Sequence, residues 1–119
     1  MKDNIVKTKS FAFAIRIVRL YQFLVDTKKE FVLSKQLLRS GTSVGAMVRE
    51  AEHAETKPDF IHKMAIAQKE INETLYWLEL LAETNYLTKQ QFENINTDAE
   101  ELIKLVTAII KSTKANLKN

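Results

Sequence analysis

The sequence predicts an all-α protein, an up-down-up-down antiparallel four-helix bundle that forms an oligomer. Apolar residues recur at helical spacing through four long segments, approximately residues 4–26, 31–54, 58–84 and 88–116. The 119 residues include only one proline and two glycines, fewer than the turns of a β-rich fold usually require. Because the linking segments are short, consecutive helices should be antiparallel neighbours. Residues 1–119 should therefore form a single domain.

The first helix, over residues 4–26, carries more apolar surface than one bundle needs. One apolar stripe runs from Phe13 to Leu24 and is enough to face the chain's own core. A second stripe follows another side of the helix, which predicts that a second subunit covers it. Together with apolar side chains of the third and fourth helices, the predicted oligomer interface consists of Phe11, Ile15, Val18, Val25, Trp77, Ile103 and Ile110.

Two features characterise the second helix, over residues 31–54. Thr27 and Glu30 have the spacing of a capping box, in which each side chain accepts a hydrogen bond from the other's backbone N–H. Gly41 and Gly45 lie four residues apart on one side, although glycine in a helix costs about 1 kcal/mol relative to alanine. We expect a neighbouring helix or a partner to approach the backbone there; a local kink is the alternative.

Residues that typically begin or end a helix set the limits of the third and fourth helices. Pro58 fits a first helical turn, where its missing N–H would be unpaired anyway. Asn85 is a suitable left-handed terminator for the third helix, over residues 58–84. Thr88 and Gln91 then form a second capping box, which starts the fourth helix over residues 88–116.

Positive charge is concentrated in the first half of the chain. The net charge is +3, and residues 1–57 carry 11 Lys and Arg against 6 Asp and Glu. In an up-down-up-down bundle, the start of the first helix and the end of the fourth lie at the same end. Phosphate binding there is one interpretation; a solvated surface with lysines that complement a helix dipole is the other. The predicted nucleic-acid-binding residues are Lys2, Lys7, Lys9, Arg16, Arg19, Lys111, Lys114 and Lys118.

Two acid–histidine pairs raise the possibility of a metal site. Glu50 with His53, and Asp59 with His62, have the i,i+3 spacing that di-iron four-helix bundles use. Both pairs fall near a loop, where lysines of the fourth helix would repel a cation. The sequence therefore predicts surface histidines and no metal.

The rest of the sequence does not indicate a catalytic site. Glu70 and Glu73 could perform acid–base chemistry, but we expect them to pair with arginines such as Arg39 or Arg49 on the neighbouring helix. The neighbouring aromatics, Tyr76 and Trp77, are expected to be packing or interface anchors rather than base-stacking residues. The chain has no cysteine, nucleophile triad or phosphate-binding loop. We predict a cytoplasmic protein without enzymatic activity or cofactor, and without a membrane span.

Two segments resemble the four-helix-bundle proteins of the 23S rRNA intervening-sequence type. The first is Arg39-Ser40-Gly41-Thr42-Ser43-Val44-Gly45-Ala46 with Arg49-Glu50-Ala51. The second joins Asp59-Phe60-Ile61-His62-Lys63-Met64 to Glu70-Ile71-Asn72-Glu73-Thr74-Leu75-Tyr76-Trp77-Leu78. The chain is also similar to the accessory variability protein of diversity-generating retroelements. The resemblance extends over nearly the whole chain.

This resemblance implies a bacterial homopentamer without known catalytic activity. The retroelement relatives bind nucleic acid and a reverse transcriptase through a basic surface. We therefore expect an oligomer that binds RNA or a nucleoprotein partner through phosphate contacts, without reading sequence. The alternative is a protein–protein interaction scaffold with no nucleic-acid role, with its specificity in the apolar second stripes.

Overall fold

The computed structural model describes residues 4–117, which form four helices. These are α1 (Ile5–Asp26), α2 (Leu33–Glu52), α3 (Lys57–Glu83) and α4 (Lys89–Leu117). No strand occurs within residues 4–117, so the all-α prediction is confirmed for this part of the chain. Each helix begins and ends within two residues of the limits expected from the sequence.

Local hydrogen bonds explain where α3 and α4 begin. The Thr56 hydroxyl accepts from the N–H of Asp59 (3.1 Å), and Pro58 occupies the first turn of α3. At the start of α4, the Gln91 N–H donates to the Thr88 hydroxyl (3.1 Å) and the Thr88 N–H donates to Gln91 Oε1 (2.9 Å). This reciprocal pair confirms the second capping box.

Left-handed residues follow two of the helices. Asn85, after α3, has φ 69°, which confirms it as the terminator. Lys29, after α1, has φ 55°.

The capping box predicted for Thr27 and Glu30 is wrong. Thr27 ends α1, where its N–H donates to the carbonyl of Phe23 (2.9 Å). The Glu30 carboxylate instead caps α2 alone, accepting from the N–H groups of Val32 (3.2 Å), Leu33 (3.0 Å) and Ser34 (2.7 Å). Burial acts to raise the pKa of Glu30, but these hydrogen bonds outweigh it and hold the pKa below its ordinary value of 4.5.

The two glycines of α2 allow α1 to approach closely. A Cβ on Gly41 would lie 2.7 Å from Cγ1 of Ile17, a side chain with no exposed surface. A Cβ on Gly45 would lie 3.3 Å from the carbonyl oxygen of Ser10. The expectation that a neighbouring helix approaches the glycines is confirmed, and that helix is α1.

Contacts between side chains show which helices are neighbours and how they run. Lys7, early in α1, lies 3.0 Å from Glu52 at the end of α2, so these helices run in opposite directions. Helix α2 also packs against α3, α3 packs against α4, and α4 packs against α1. The core between the helices contains the fully buried side chains Phe13, Ile17, Leu24, Leu37, Val44, Met64, Ile71, Leu78, Leu81, Leu102 and Val106.

One polar pair lies inside this core, between α2 and α3. The hydroxyls of Ser40 and Thr74 are fully buried and 2.9 Å apart. The Thr74 hydroxyl also lies 2.7 Å from the carbonyl oxygen of Glu70. In residues 4–117 every buried side-chain nitrogen or oxygen has a hydrogen-bond partner. The pair is therefore satisfied, and it fixes how α2 and α3 face each other.

Candidate functional site

The cations that the sequence analysis assigned to α1 are mostly held in ion pairs. Lys7 binds Glu52 on α2 (3.0 Å), and its hydrogen bond lowers the pKa of that carboxyl. Lys9 lies 2.9 Å from Glu101 on α4. A carboxylate beside each cation offsets the attraction for a phosphate, so this part of the predicted basic surface is largely neutralised.

Arg16 and Arg19 have different surroundings. Arg16 pairs with Asp98 and donates to the Asn94 side chain. Arg19 is exposed, and no carboxylate within residues 4–117 lies close enough to form an ion pair with it. Both arginines line an open groove of about 490 Å³ between α1 and α4, together with Leu20, Phe23, Gln90, Gln91, Asn94 and Ile95. Lys2 and Lys118 lie outside the described residues.

Three lysines of α4 form a stripe; Lys111 and Lys114 have no acidic residue within one turn on the helix, whereas Lys104 follows Glu100 and Glu101 by one turn. Lys104, Lys111 and Lys114 are spaced i, i+7 and i+10, which places them on one side of the helix. Residues 102–117 contain no Asp or Glu. No carboxylate of the described residues lies within the 4.0 Å ion-pair distance of these three lysines. Their charges therefore remain available to an external anion.

α3 extends this cationic surface. The Gln68 side-chain amide donates to the Thr107 hydroxyl (2.9 Å), which places Thr107, on the lysine side of α4, beside α3. Lys69 follows Gln68 and is exposed. Glu70 is the next residue, and besides the hydrogen bonds from Arg39 and Trp77 the charge of Lys69 lowers the pKa of Glu73, one turn further along α3. We call the set Lys69, Lys104, Lys111 and Lys114 the lysine face. Lys69 and Lys104 were missed in the sequence analysis, although the helical spacing of Lys104, Lys111 and Lys114 is a readable signal.

The two central glutamates of α3 are structural ion-pair partners. Arg39 lies 3.3 Å from Glu70 and also pairs with Glu73, as predicted. The hydrogen bond from Arg39 lowers the pKa of Glu73, and a second one from the indole N–H of Trp77 (3.1 Å) lowers it further. Tyr76 packs edge-on against Trp77, with ring centroids 4.9 Å apart. Glu73 is therefore held ionised among fixed partners.

The residues predicted to form an oligomer interface differ in how much of each side chain is exposed to solvent. Phe11 (52%), Ile15 (38%) and Val18 (38%) are exposed on α1, and Arg49 lies over the Phe11 ring, 5.0 Å from its centroid. Ile110 is only 8% exposed and packs in the core of its own chain. The half-buried members of the predicted set are Val25, Trp77 and Ile103.

The acid–histidine pairs do not form a larger cluster. Glu50 lies 3.0 Å from the Lys63 ammonium, and this contact raises the pKa of Lys63. Within residues 4–117, no three His, Asp or Glu side chains come together in a way that could hold a metal ion. Among the helices of this region, none has an apolar stretch long enough to cross a membrane.

The fold and the sequence together define the class of this protein. The family model for the 23S rRNA-intervening sequence protein matches residues 2–108, so the chain belongs to that family. A solved structure from Bacteroides thetaiotaomicron VPI-5482, a protein with unknown function from the S23 ribosomal protein family, is 62% identical with a TM-score of 0.91. The match covers 93% of this chain and 99% of that one. No curated protein is significantly similar.

Proposed function

We propose that this protein is a non-enzymatic cytoplasmic homo-oligomer that binds RNA through the lysine face. Each copy would be an up-down-up-down antiparallel bundle, and copies would contact one another through the exposed apolar side of α1. One observation carries the RNA assignment: Lys104, Lys111 and Lys114 share one side of α4, and Lys111 and Lys114 have no acidic residue within one turn on that helix.

Electrostatics favours a phosphate backbone as the ligand of this surface. An ammonium group with no carboxylate beside it gains more from a phosphate than one already paired, because nothing competes for its charge. Lysines give affinity and position without reading bases. An oligomer would bring several copies of the lysine face to one RNA molecule, which raises the avidity without any new contact.

The RNA assignment is tested with two matched double variants. Lys104→Gln with Lys111→Gln removes two charges of the lysine face. Lys7→Gln with Lys9→Gln removes two charges that are already paired on α1. Fluorescence anisotropy with a labelled structured RNA at low salt should show a much larger loss of affinity for the first variant. Equal losses, or no RNA binding by the wild type, would reject the lysine face as the binding surface.

Self-association is supported by the exposed side of α1. Phe11, Ile15 and Val18 form a contiguous apolar strip at i, i+4 and i+7 that the single chain leaves in water. The resemblance described above implies five subunits. Sedimentation velocity should show that Ile15→Glu dissociates the oligomer, whereas Gln36→Glu, at an exposed polar position on α2, leaves it intact. A monomeric wild type at micromolar concentration would contradict self-association.

The same apolar strip favours a second candidate, a scaffold that binds another protein. This function predicts that the wild type is monomeric. It also predicts that Ile15→Glu abolishes binding of the partner protein in high salt and does not change the affinity for RNA. The measurements above separate the two, because self-association and protein binding compete for the same side of α1.

A further inference from the structure

We infer that Tyr76 is a base-stacking residue that extends the lysine face, and that the ligand it contacts is single-stranded RNA. This inference rests on the proposed function, since it names the part of the RNA that this surface would take up. Tyr76 is 56% exposed, an unusual position for a large aromatic side chain that makes no contribution to the core.

The Tyr76 ring contacts Trp77, and the Trp77 side chain is held in turn by polar contacts. The ring packs against Trp77 at an interplanar angle of 71°. The Trp77 indole donates to Glu73, and Glu73 is bound by Arg39 of α2. An edge-to-face contact occupies at most one face of the tyrosine ring, so another face is open to solvent. A rigid aromatic side chain loses little entropy on binding, which is what a stacking platform requires.

The position of Tyr76 on α3 connects it to the lysine face. Lys69, Asn72 and Tyr76 are spaced i, i+3 and i+7 and are all exposed, so they share the outer side of α3. Lys69 and Tyr76 are about 10 Å apart along the helix axis. A strand whose phosphates contact Lys69 and the α4 lysines can therefore place a base on Tyr76. Asn72, between them, offers an amide that can donate and accept hydrogen bonds.

Acidic residues mark where this surface ends. Glu79 lies one turn beyond Tyr76 on α3, and Glu100 lies one turn before Lys104 on α4; both are exposed. Their charges disfavour phosphates beyond Tyr76, which makes this residue the last contact of the strand. We expect Glu100→Gln to strengthen RNA binding, because it removes a repulsive charge at this boundary.

The surroundings of Tyr76 also argue against the packing or interface role expected from the sequence. Along the outer side of α3 its neighbours include Lys69, Asn72 and Glu79, so apart from Trp77 and the half-buried Leu80 the ring has polar neighbours. Single-stranded RNA suits an exposed aromatic ring flanked by polar residues, because every base has a π-face that can stack on it.

The test compares two exposed aromatic residues with a labelled short single-stranded RNA. Tyr76→Leu keeps an apolar side chain but removes the π-system, and it should weaken binding about 5- to 100-fold. Tyr76→Phe should bind like the wild type. Phe31→Leu is the matched control, since Phe31 is 53% exposed in the α1–α2 loop, outside the lysine face, and should not change the affinity.

Further readouts distinguish stacking from other roles. The salt dependence of binding should be the same for Tyr76→Leu and the wild type, because no phosphate contact is lost. Affinity for a blunt RNA duplex should be unchanged. Wild-type affinity of Tyr76→Leu, an equal loss for Phe31→Leu or for the duplex, or dissociation of the oligomer by Tyr76→Leu would each overturn the inference.

The outcome for the lysine variants shows which idea has failed. If Tyr76→Leu has no effect while Lys104→Gln with Lys111→Gln still weakens binding, only the role of Tyr76 is rejected. If the wild type binds no RNA, the proposed function and the role of Tyr76 are rejected together.

Discussion

Gly41→Ala should destabilise the protein, although replacing glycine by alanine within a helix normally stabilises it. The new Cβ would lie 2.7, 2.8 and 3.0 Å from Cγ1, Cγ2 and Cδ1 of Ile17. Ile17 has no exposed surface, and a β-branched side chain in a helix has essentially one χ1 rotamer. Overpacking of this kind costs about 1–3 kcal/mol, and the gain in helix propensity returns about 1 kcal/mol. The expected net loss is about 1 kcal/mol.

Urea denaturation at one fixed protein concentration measures this effect, since the stability of an oligomer depends on concentration. Gly45→Ala is the matched control. Its Cβ would lie 3.3 Å from a backbone oxygen of Ser10, so a small shift relieves the contact and the net change should be near zero.

Combining Gly41→Ala with a second substitution tests whether the contact with Ile17 causes the loss of stability. Ile17→Ala removes all three atoms that the new Cβ would meet, so Gly41→Ala should become stabilising by about 1 kcal/mol in that variant. This reversal of sign identifies the contact between α1 and α2 as the cause. If Gly41→Ala stabilises the wild type and the Ile17→Ala variant equally, the helices are not as close as described.

Three further changes probe the polar contacts that fix the helices. Because the pKa of Glu30 is lowered in the folded state, the ionised carboxylate stabilises the fold fully well above pH 4.5, and this stabilisation is lost as the pH falls through the folded-state pKa. Thermal melts should therefore show that Glu30→Gln is less stable than the wild type at pH 7 and that its stability falls less steeply as the pH is lowered. Thr74→Val leaves the buried Ser40 hydroxyl with only its longer hydrogen bond to the Leu37 carbonyl (3.4 Å) and should cost about 1 kcal/mol in urea denaturation. Arg39→Met leaves the buried Glu70 carboxylate without its cation, so it should cost about 1–3 kcal/mol, while Trp77 fluorescence shifts because its acceptor, Glu73, loses its ion pair.

Much of the fold could be predicted from local sequence patterns. Pro58, Asn85 and the Thr88–Gln91 capping box act within a few residues, so their roles are visible in the sequence alone. Thr27 and Glu30 have the same spacing as a capping box, yet Thr27 is needed to end α1. Glu30 therefore caps α2 without it. Spacing alone does not show which of two adjacent helix ends a residue serves.

The candidate site was harder to predict, because it depends on how the helices are rotated against each other. Lys9 and Lys111 are both exposed lysines in the sequence, but only Lys9 faces an acidic residue, Glu101, on the adjoining helix. Ile110 illustrates the same limit, since a broad apolar stripe does not reveal which of its edges the core covers. These distinctions come from contacts between distant residues, such as the one between Gln68 and Thr107.

RNA binding through the lysine face has a direct quantitative signature in the salt dependence of the affinity. For single-stranded RNA, each lost phosphate contact should reduce the slope of log Kobs against log salt by about 0.7. Lys104→Gln with Lys111→Gln should therefore lower the slope by about 1.4 relative to the wild type. An unchanged slope would show that these two lysines make no phosphate contact, and the lysine face would not be an RNA-binding surface.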